Sequence, residues 1–575
     1  MGERRSQSPS ILIVGAGPTG LILALVLARN GVPFRIIEKD KTTHLGQRGP
    51  GIQARTQELL SFAGVLEDVL KIAQDLAPAR MYKLGQAVPE AVAPRTQMEP
   101  SPSRPMAKGV MIGQSRLCAL LTDRLAKDHG VHVETNTALR GLEQHPDKVT
   151  VSLANTGEDG TEVVETSDVD WVVGSDGARG TVRKLLGLSF HGDQHAGRWV
   201  VADVRMQKPW TDATRFQYWF GHPRERCLMV RPTEFDTPDL AQATIVGDGI
   251  DTTYLAAHPE EFLRVAHDII SDPAIKLAKV DWISEYRPSS RMVDRFSEGR
   301  VFVAGDAAHI HPPTGGQGLN SGVQDAVNLG WKLALVAKGL APTSLLSSYN
   351  EERLPVIREV LQLAGGLWTK MRSEEMKAFK RDSAVYMLEI NYRWSEAVVD
   401  ERLVGEQKKE SVFRAYYGND DGVRAGDRAP EAPGLKVVRA GEGYTLHPGE
   451  ETSLFKLFKL TTHTVLLFVP AATHSAAFAD IQEALCGFPA GTAQVVVVLP
   501  EAFTGEPTFG EEVDLVLHDK EGHAFRHYGC PVGDGSEQTV VVVRPDSYVG
   551  AYTTKADDVH RYLKVVFGEC VGEKA

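Results

Sequence analysis

Cysteine is scarce in this sequence. Five residues (Cys118, Cys227, Cys486, Cys530 and Cys570) are scattered over 575 positions, odd in number and never spaced as CxxC. This excludes a disulfide framework and a thiolate zinc site, and suits a reducing, cytoplasmic compartment. Long apolar runs are also missing. The opening MGERRSQSPS is polar, and the apolar stretch behind it is broken by Gly-Ala-Gly-Pro-Thr-Gly, so neither a signal peptide nor a membrane span is expected. Positive charge is not in excess: the net charge of −12 argues against nucleic acid as the main partner. His309 and His311 tempt as a metal pair but have no further ligands at sensible spacing, so no metal is expected. There is no short-period repeat or low-complexity tract.

What is present belongs to a globular protein with ample core material, 42% apolar and 24% charged. The length calls for two to four domains. Ile11–Val14 reads as a buried strand, Pro18–Arg29 as a helix, and Pro33–Ile37 as a second strand ending at Glu38, a βαβ unit. Between Val131 and Val173, alternating runs divided by turn signals predict a meander leading into a buried strand, DWVVGSDG. Strand-like runs rich in aromatics follow from about Phe190 to Trp282, as in a sheet covering a ligand or in ordinary core packing. Arg300–Gly339 reads as strand, Gly-rich turn and helix, with helical spacing through roughly Lys370–Phe413. YYGNDDGVRAGDRAPEAPG then resembles a linker. Beyond it, the apolar runs Thr464–Pro470, Gln494–Leu499 and Thr539–Val543 suggest a separate α/β domain.

Gly15, Gly17 and Gly20 form GxGxxG between the first strand and helix. The first glycine permits the tight turn, the second lets a pyrophosphate approach the backbone, and the third lets helix and strand pack. Glu38 can accept hydrogen bonds from an adenosine ribose. The motif alone leaves NAD(P) and FAD both open. The stretch RVFVAGDAAHIHPPTGGQGLN decides between them. Asp306, at a strand end, can accept from sugar hydroxyls. Gly315, Gly316 and Gly318 bare amides just before a helix, where the dipole favours the negative charge of a reduced flavin ring. No second GxGxxG follows a strand, so a separate NADPH domain is not expected.

AGDAAHIHPPTGGQGLN resembles the second FAD motif of the single-component FAD-dependent aromatic hydroxylases, the family of p-hydroxybenzoate and phenol hydroxylases. GSDGARGTVRKLLG resembles their middle motif, with Asp176 as its aspartate and Gly180 where serine is commoner. RGPGIQARTQELL and GQSRLCALL resemble the remaining flavin contacts, at Arg48 and Gln114. The C-terminal segment resembles the thioredoxin-like domain of the phenol hydroxylase branch. The implied fold is α/β and α+β: an FAD-binding Rossmann-like domain (1–189 and 291–424, the latter with a helical extension), an inserted β-sheet substrate domain (190–290) and a thioredoxin-like domain (425–575). Lacking CxxC, that last domain is expected to serve packing or homodimer formation. The resemblance places FAD against Gly15, Gly17, Thr19, Gly20, Glu38, Lys39, Arg48, Gln114, Asp176, Asp306, Gly316, Gly318, Leu319 and Asn320.

The implied activity is hydroxylation of a phenolic small molecule with NAD(P)H and O2 through a flavin C4a-hydroperoxide. Such an intermediate needs a water-poor pocket, for which Pro312 and Pro313 offer donor-poor walls. Pro313 matches the proline near the flavin's reactive edge, and Tyr286 matches the active-site tyrosine of phenol hydroxylase. Two features depart from that branch. Gly49-Pro50 stands where an aspartate is expected, and the active-site arginine has no counterpart between Trp282 and Tyr286. An FAD-dependent epoxidase or halogenase is an alternative, although the halogenase WxWxIP motif is missing. A redox-sensing flavoprotein acting as a binding module is another.

Overall fold

Four apolar residues in a row, Ile11–Val14, are buried on both faces and form an inner strand of a five-stranded sheet. Its order is Ser297–Glu298, Val301–Val303, Trp171–Gly174, Ile11–Val14, Phe34–Ile37, parallel except for the first edge strand. Continuous apolar runs suit such strands because helices cover both faces of a parallel sheet. The register pairs Val14 with Gly174 and Ile37, and Gly174 with Val303. Three motifs far apart in sequence therefore leave the sheet at one carboxyl edge. The structure, a computed structural model, describes residues 10–568 apart from 43–45, 94–97, 196, 211–215, 223–224, 373–382, 404, 418–421, 471–475, 504–508, 511 and 534–535.

The expected meander is three antiparallel strands, Thr137–Gln144, Val149–Thr156 and Glu162–Val169. The aromatic-rich region forms a seven-stranded sheet. Its order is Leu277–Tyr286, Trp199–Met206, Leu240–Val246, Arg226–Pro232, Gln217–His222, Ala79–Tyr82, Ala91–Ala93. The last two strands come from outside 190–290, so the sheet draws on the N-terminal segment as well. One of its faces packs Val200, Ala202, Val204 and Ile245 against Phe262 and Ala266 of helix Pro259–Ile269.

The expected helical run over Lys370–Phe413, of which 373–382 and 404 lie outside the described residues, is not found among the described ones. Helix Ser347–Arg372 is followed, where the chain is described, by single turns such as Ser383–Tyr386 and Glu406–Glu410 and by a short strand, Val399–Asp400. Tertiary packing overrides the spacing here: Ile390, Tyr392 and Trp394 are buried in one cluster with Val356 and Val360 of the preceding helix, and Tyr386 in another with Ala54. The segment read as a linker is also packed, with Tyr416, Ala425, Ala429 and Ala432 buried. An eight-stranded C-terminal sheet is built around His463–Phe468, Ala493–Leu499, Leu515–Asp519 and Thr539–Val543. Val399–Asp400, from before residue 425, is one of its two edge strands.

Candidate active site

A single cavity of about 1280 Å³ runs from the carboxyl edge of the five-stranded sheet to the free face of the seven-stranded one. At the first end, Gly15 has φ +102°, and a Cβ there would lie 2.6 Å from the Ser175 carbonyl oxygen, so only glycine lets the two strand ends approach. Gly17 lines the cavity, and a Cβ there would meet only open space. Gly20 does not line it; it packs against the Gly15 carbonyl, as expected of the third glycine. The Glu38 carboxylate accepts from Ala16 N–H at 3.0 Å and Asp40 N–H at 3.1 Å, one bond per oxygen, leaving acceptor capacity on the cavity. Burial raises its pKa. Lys39 is exposed on the same rim.

Asp306 follows the strand Val301–Val303 and opens onto the cavity. Among the described residues nothing hydrogen-bonds its carboxylate. Desolvation raises its pKa, while His309 and Arg48 pull it down. Arg48 reaches the cavity from a backbone with φ 44°, and desolvation lowers its pKa. Gln114 begins helix Gln114–His129 and donates to the Gly49 carbonyl at 3.2 Å. Gly316, Gly318, Leu319 and Pro313 line the cavity where helix Gly318–Ala337 starts.

Besides Gly20, three expected contacts sit differently, although Thr19 and Asp176 still line the cavity. Asn320 is fully buried and does not line the cavity. It accepts from Gln53 N–H and donates to the Gly51 and Gly316 carbonyls, stitching the helix start to the 51–53 segment. Thr19 borders the cavity, but its hydroxyl is wedged against Gly305 and Gly322. One Asp176 oxygen takes the first amides of helix Thr181–Leu185, from Thr181 and Val182, and its other oxygen is buried without a partner. At Gly180 a Cβ would press on the Asp176 carboxylate as it is oriented here.

At the far end, alternate residues of successive strands face the cavity: Trp199 and Val201, Met229 and Arg231, Gln242 and Thr244, Trp282, Ser284 and Tyr286. This is the period-two signature of a sheet with one face on a ligand space. The Tyr286 hydroxyl donates to the His311 carbonyl at 3.3 Å, and burial raises its pKa. Desolvation lowers the pKa of His311, buried beside it, to about 3. His309 pairs with Asp325 at 2.7 Å, and Asp325 with Arg353, which ties His309 into the fold, whereas His311 lines the cavity with its Nε2 buried and without a partner among the described residues. Among the described residues no group of three or more His, Cys, Asp or Glu is placed to hold a metal. Arg231, Gln242 and the buried Asp203 escaped sequence reasoning. The available signal was a carboxylate at an inward position of the apolar run WVVADVRM.

These features define a dinucleotide site opening onto an apolar chamber. Residues 9–364 match the family described as FAD binding domain. The chain is 32% identical to a flavin-dependent monooxygenase of Mycobacteroides abscessus, over 96% of this chain and 99% of that one. It is 27% identical to the pentachlorophenol 4-monooxygenase of Sphingobium chlorophenolicum, over 95% and 94%. Among solved structures it resembles an aklavinone-11 hydroxylase in complex with FAD and aklavinone, with a TM-score of 0.74, 24% identity and coverage of 98% and 99%. The chain belongs to the FAD-dependent monooxygenases. Its residues fit the cofactor: a glycine turn with open space at Gly17, an acceptor at Glu38, and a second carboxylate, Asp306, without a donor among the described residues.

Proposed function

We propose that this monooxygenase hydroxylates a phenolic or other aromatic small molecule with NAD(P)H and O2. One observation carries the reading: the cavity joins the dinucleotide edge to an aromatic-lined sheet face without a break. When bound, FAD supplies the redox chemistry: electrons from NAD(P)H, and one oxygen atom of O2 passed to the ring while the other leaves as water. The chain's own residues then have four tasks. Gly15, Gly17, Glu38, Lys39, Gln114 and Asp306 would hold the adenosine, phosphate and sugar parts, with Thr19, Gly20, Asp176 and Asn320 shaping their backbone. Arg48, Gly316, Gly318 and Leu319 would hold the flavin end. Pro312, Pro313, Trp199 and Trp282 keep water from the reacting centre. Tyr286 meets the substrate oxygen. The size of the cavity leaves room for a multi-ring compound beside the dinucleotide, as the aklavinone-11 hydroxylase likeness also suggests.

The domain division given above is part of the same proposal, with 79–93 added to the substrate sheet. So are the thioredoxin-like character of the C-terminal segment, a homodimer and a cytoplasmic location. Free Cys118, Cys227, Cys486 and Cys530 support that location. No described helix is long and apolar enough to cross a membrane. The test is to purify the protein, measure one FAD per chain by absorbance, and screen single- and multi-ring phenols for stimulated NAD(P)H oxidation. A product heavier by one oxygen supports the proposal; stimulation by no aromatic compound overturns it.

A further inference from the structure

Arg48 is one of four described non-glycine residues with positive φ. A side chain held in that region costs about 1–2 kcal/mol, so something must fix it there. The chain is held from the seven-stranded sheet on either side of it, at the N–H of the preceding residue and at its own carbonyl. The Gln47 N–H donates to Asp203 Oδ2 at 2.9 Å, and the Arg48 carbonyl accepts from Gln242 Nε2 at 2.6 Å. Asp203 and Gln242 are direct cross-strand partners, so the two grips are neighbours on one surface. The orientation of the Gln242 amide is not free either. Arg231 donates to its Oε1 from Nε at 3.0 Å; because a guanidinium only donates, the amide nitrogen must turn toward Arg48.

We propose that Asp203 and Gln242, the latter oriented by Arg231, form a two-point clamp by which the substrate-side sheet positions Arg48 for the cofactor. The inference rests on the reading of Arg48 as a flavin-end contact. Asp203 and Gln242 are positioning residues that act through the Gln47–Arg48 backbone. Their placement means that cofactor affinity depends on the sheet whose Gln242 and Arg231 line the opposite end of the cavity.

The test is a double-mutant cycle read on FAD release from holoenzyme, followed by flavin fluorescence on dilution. Gln242→Glu keeps the acceptor for Arg231 but removes the donor to Arg48; Gln242→Met, of similar shape, removes both. Either should raise the FAD dissociation constant about fivefold or more while thermal stability changes little. In an Arg48→Ala background the same substitutions should change it less than about twofold, because the residue being positioned is gone. Equal effects in the two backgrounds, or no effect in wild type while Arg48→Ala weakens FAD, overturn the clamp. If Arg48→Ala alone leaves FAD affinity unchanged, the reading of Arg48 as a cofactor contact is what fails.

Discussion

Tyr286 donates to the His311 carbonyl, and burial holds it in the phenol form, so it cannot be the base that ionises a substrate. What it can offer is a lone pair or a shared proton that fixes the ring's oxygen. Tyr286→Phe should therefore lower the ratio of hydroxylated product to NAD(P)H consumed, by about tenfold as for one lost polar contact. An unchanged ratio at saturating phenol would make Tyr286 a packing residue. Asp203 invites a different experiment. Burial pushes its pKa up to about 7, Glu234 and Asp281 add to the rise, and the Gln47 amide and Arg205 oppose it. A carboxyl whose folded pKa lies above its unfolded value stabilises fully below about pH 4 and loses that contribution as pH rises through about 7. Asp203→Asn keeps an acceptor for the Gln47 N–H and removes the charge. It should raise stability at pH 8 by about 1–3 kcal/mol and give little or no gain at pH 5. Melting curves at the two pH values decide; an equal shift at both would mean that the carboxyl does not titrate between them.

The join between strand Val301–Val303 and helix Gly318–Ala337 is where element order becomes chemistry. Its glycines and prolines were legible in the sequence because each has a local reason, and so was GxGxxG. The convergence of Gly15, Ser175 and Asp306 on one edge was implied by parallel strands, whose carboxyl ends must share a side. Legibility failed where partners are remote in sequence. Asn320 reads as a ligand contact from its motif, yet its three bonds go to Gln53, Gly51 and Gly316. Nothing in a linear pattern records that residues 51–53 lie alongside. The strands Ala79–Tyr82 and Ala91–Ala93 were missed for the same reason: they are short, and they pair with a sheet whose other strands begin more than a hundred residues later. Asn320→Ala should leave the Gln53 amide without its buried acceptor. We expect a loss of about 2–4 kcal/mol, with FAD occupancy falling alongside, because the helix start loses its anchor. A variant with full FAD and an unchanged melting temperature would place Asn320 outside this role.

The N-terminal motifs and the C-terminal sheet are joined by buried charge rather than by a flexible tether. Glu352 accepts from Arg544 through both carboxylate oxygens, at 2.6 and 2.9 Å, and from Lys332 at 2.7 Å. Arg544 also pairs with Asp546 at 2.5 Å, and Asp546 accepts from Trp331 Nε1 at 3.2 Å. All four charged side chains are 0–2% exposed. A second group ties Arg55 and Glu58 to Arg428, Asp546 and Ser547. Lys332 belongs to the helix whose start forms the cavity wall, so the network reaches into the cofactor-side fold itself. Deleting residues beyond 424 would take Arg544 from Glu352, Arg428 from Glu58, and the Asp546 carbonyl and Ser547 hydroxyl from Arg55, leaving these buried groups short of partners. An orphaned buried charge is far more costly than the loss of an exposed pair. The truncated chain should therefore fail to accumulate as soluble protein, although no redox-active cysteine pair is removed. Arg544→Met tests the same argument within the full chain. It leaves Glu352 facing only Lys332 and Asp546 facing no cation, and should cost about 3–5 kcal/mol. Replacing Asp546 by Asn in the Arg544→Met background removes the stranded charge and should recover part of that loss. Denaturant midpoints for wild type, the single variant and the double variant decide the matter. If the double variant were less stable than Arg544→Met by a further full increment, the charges would be acting independently, and the join between the two parts would have to rest on apolar packing, such as Phe62 against Phe455 and Phe458.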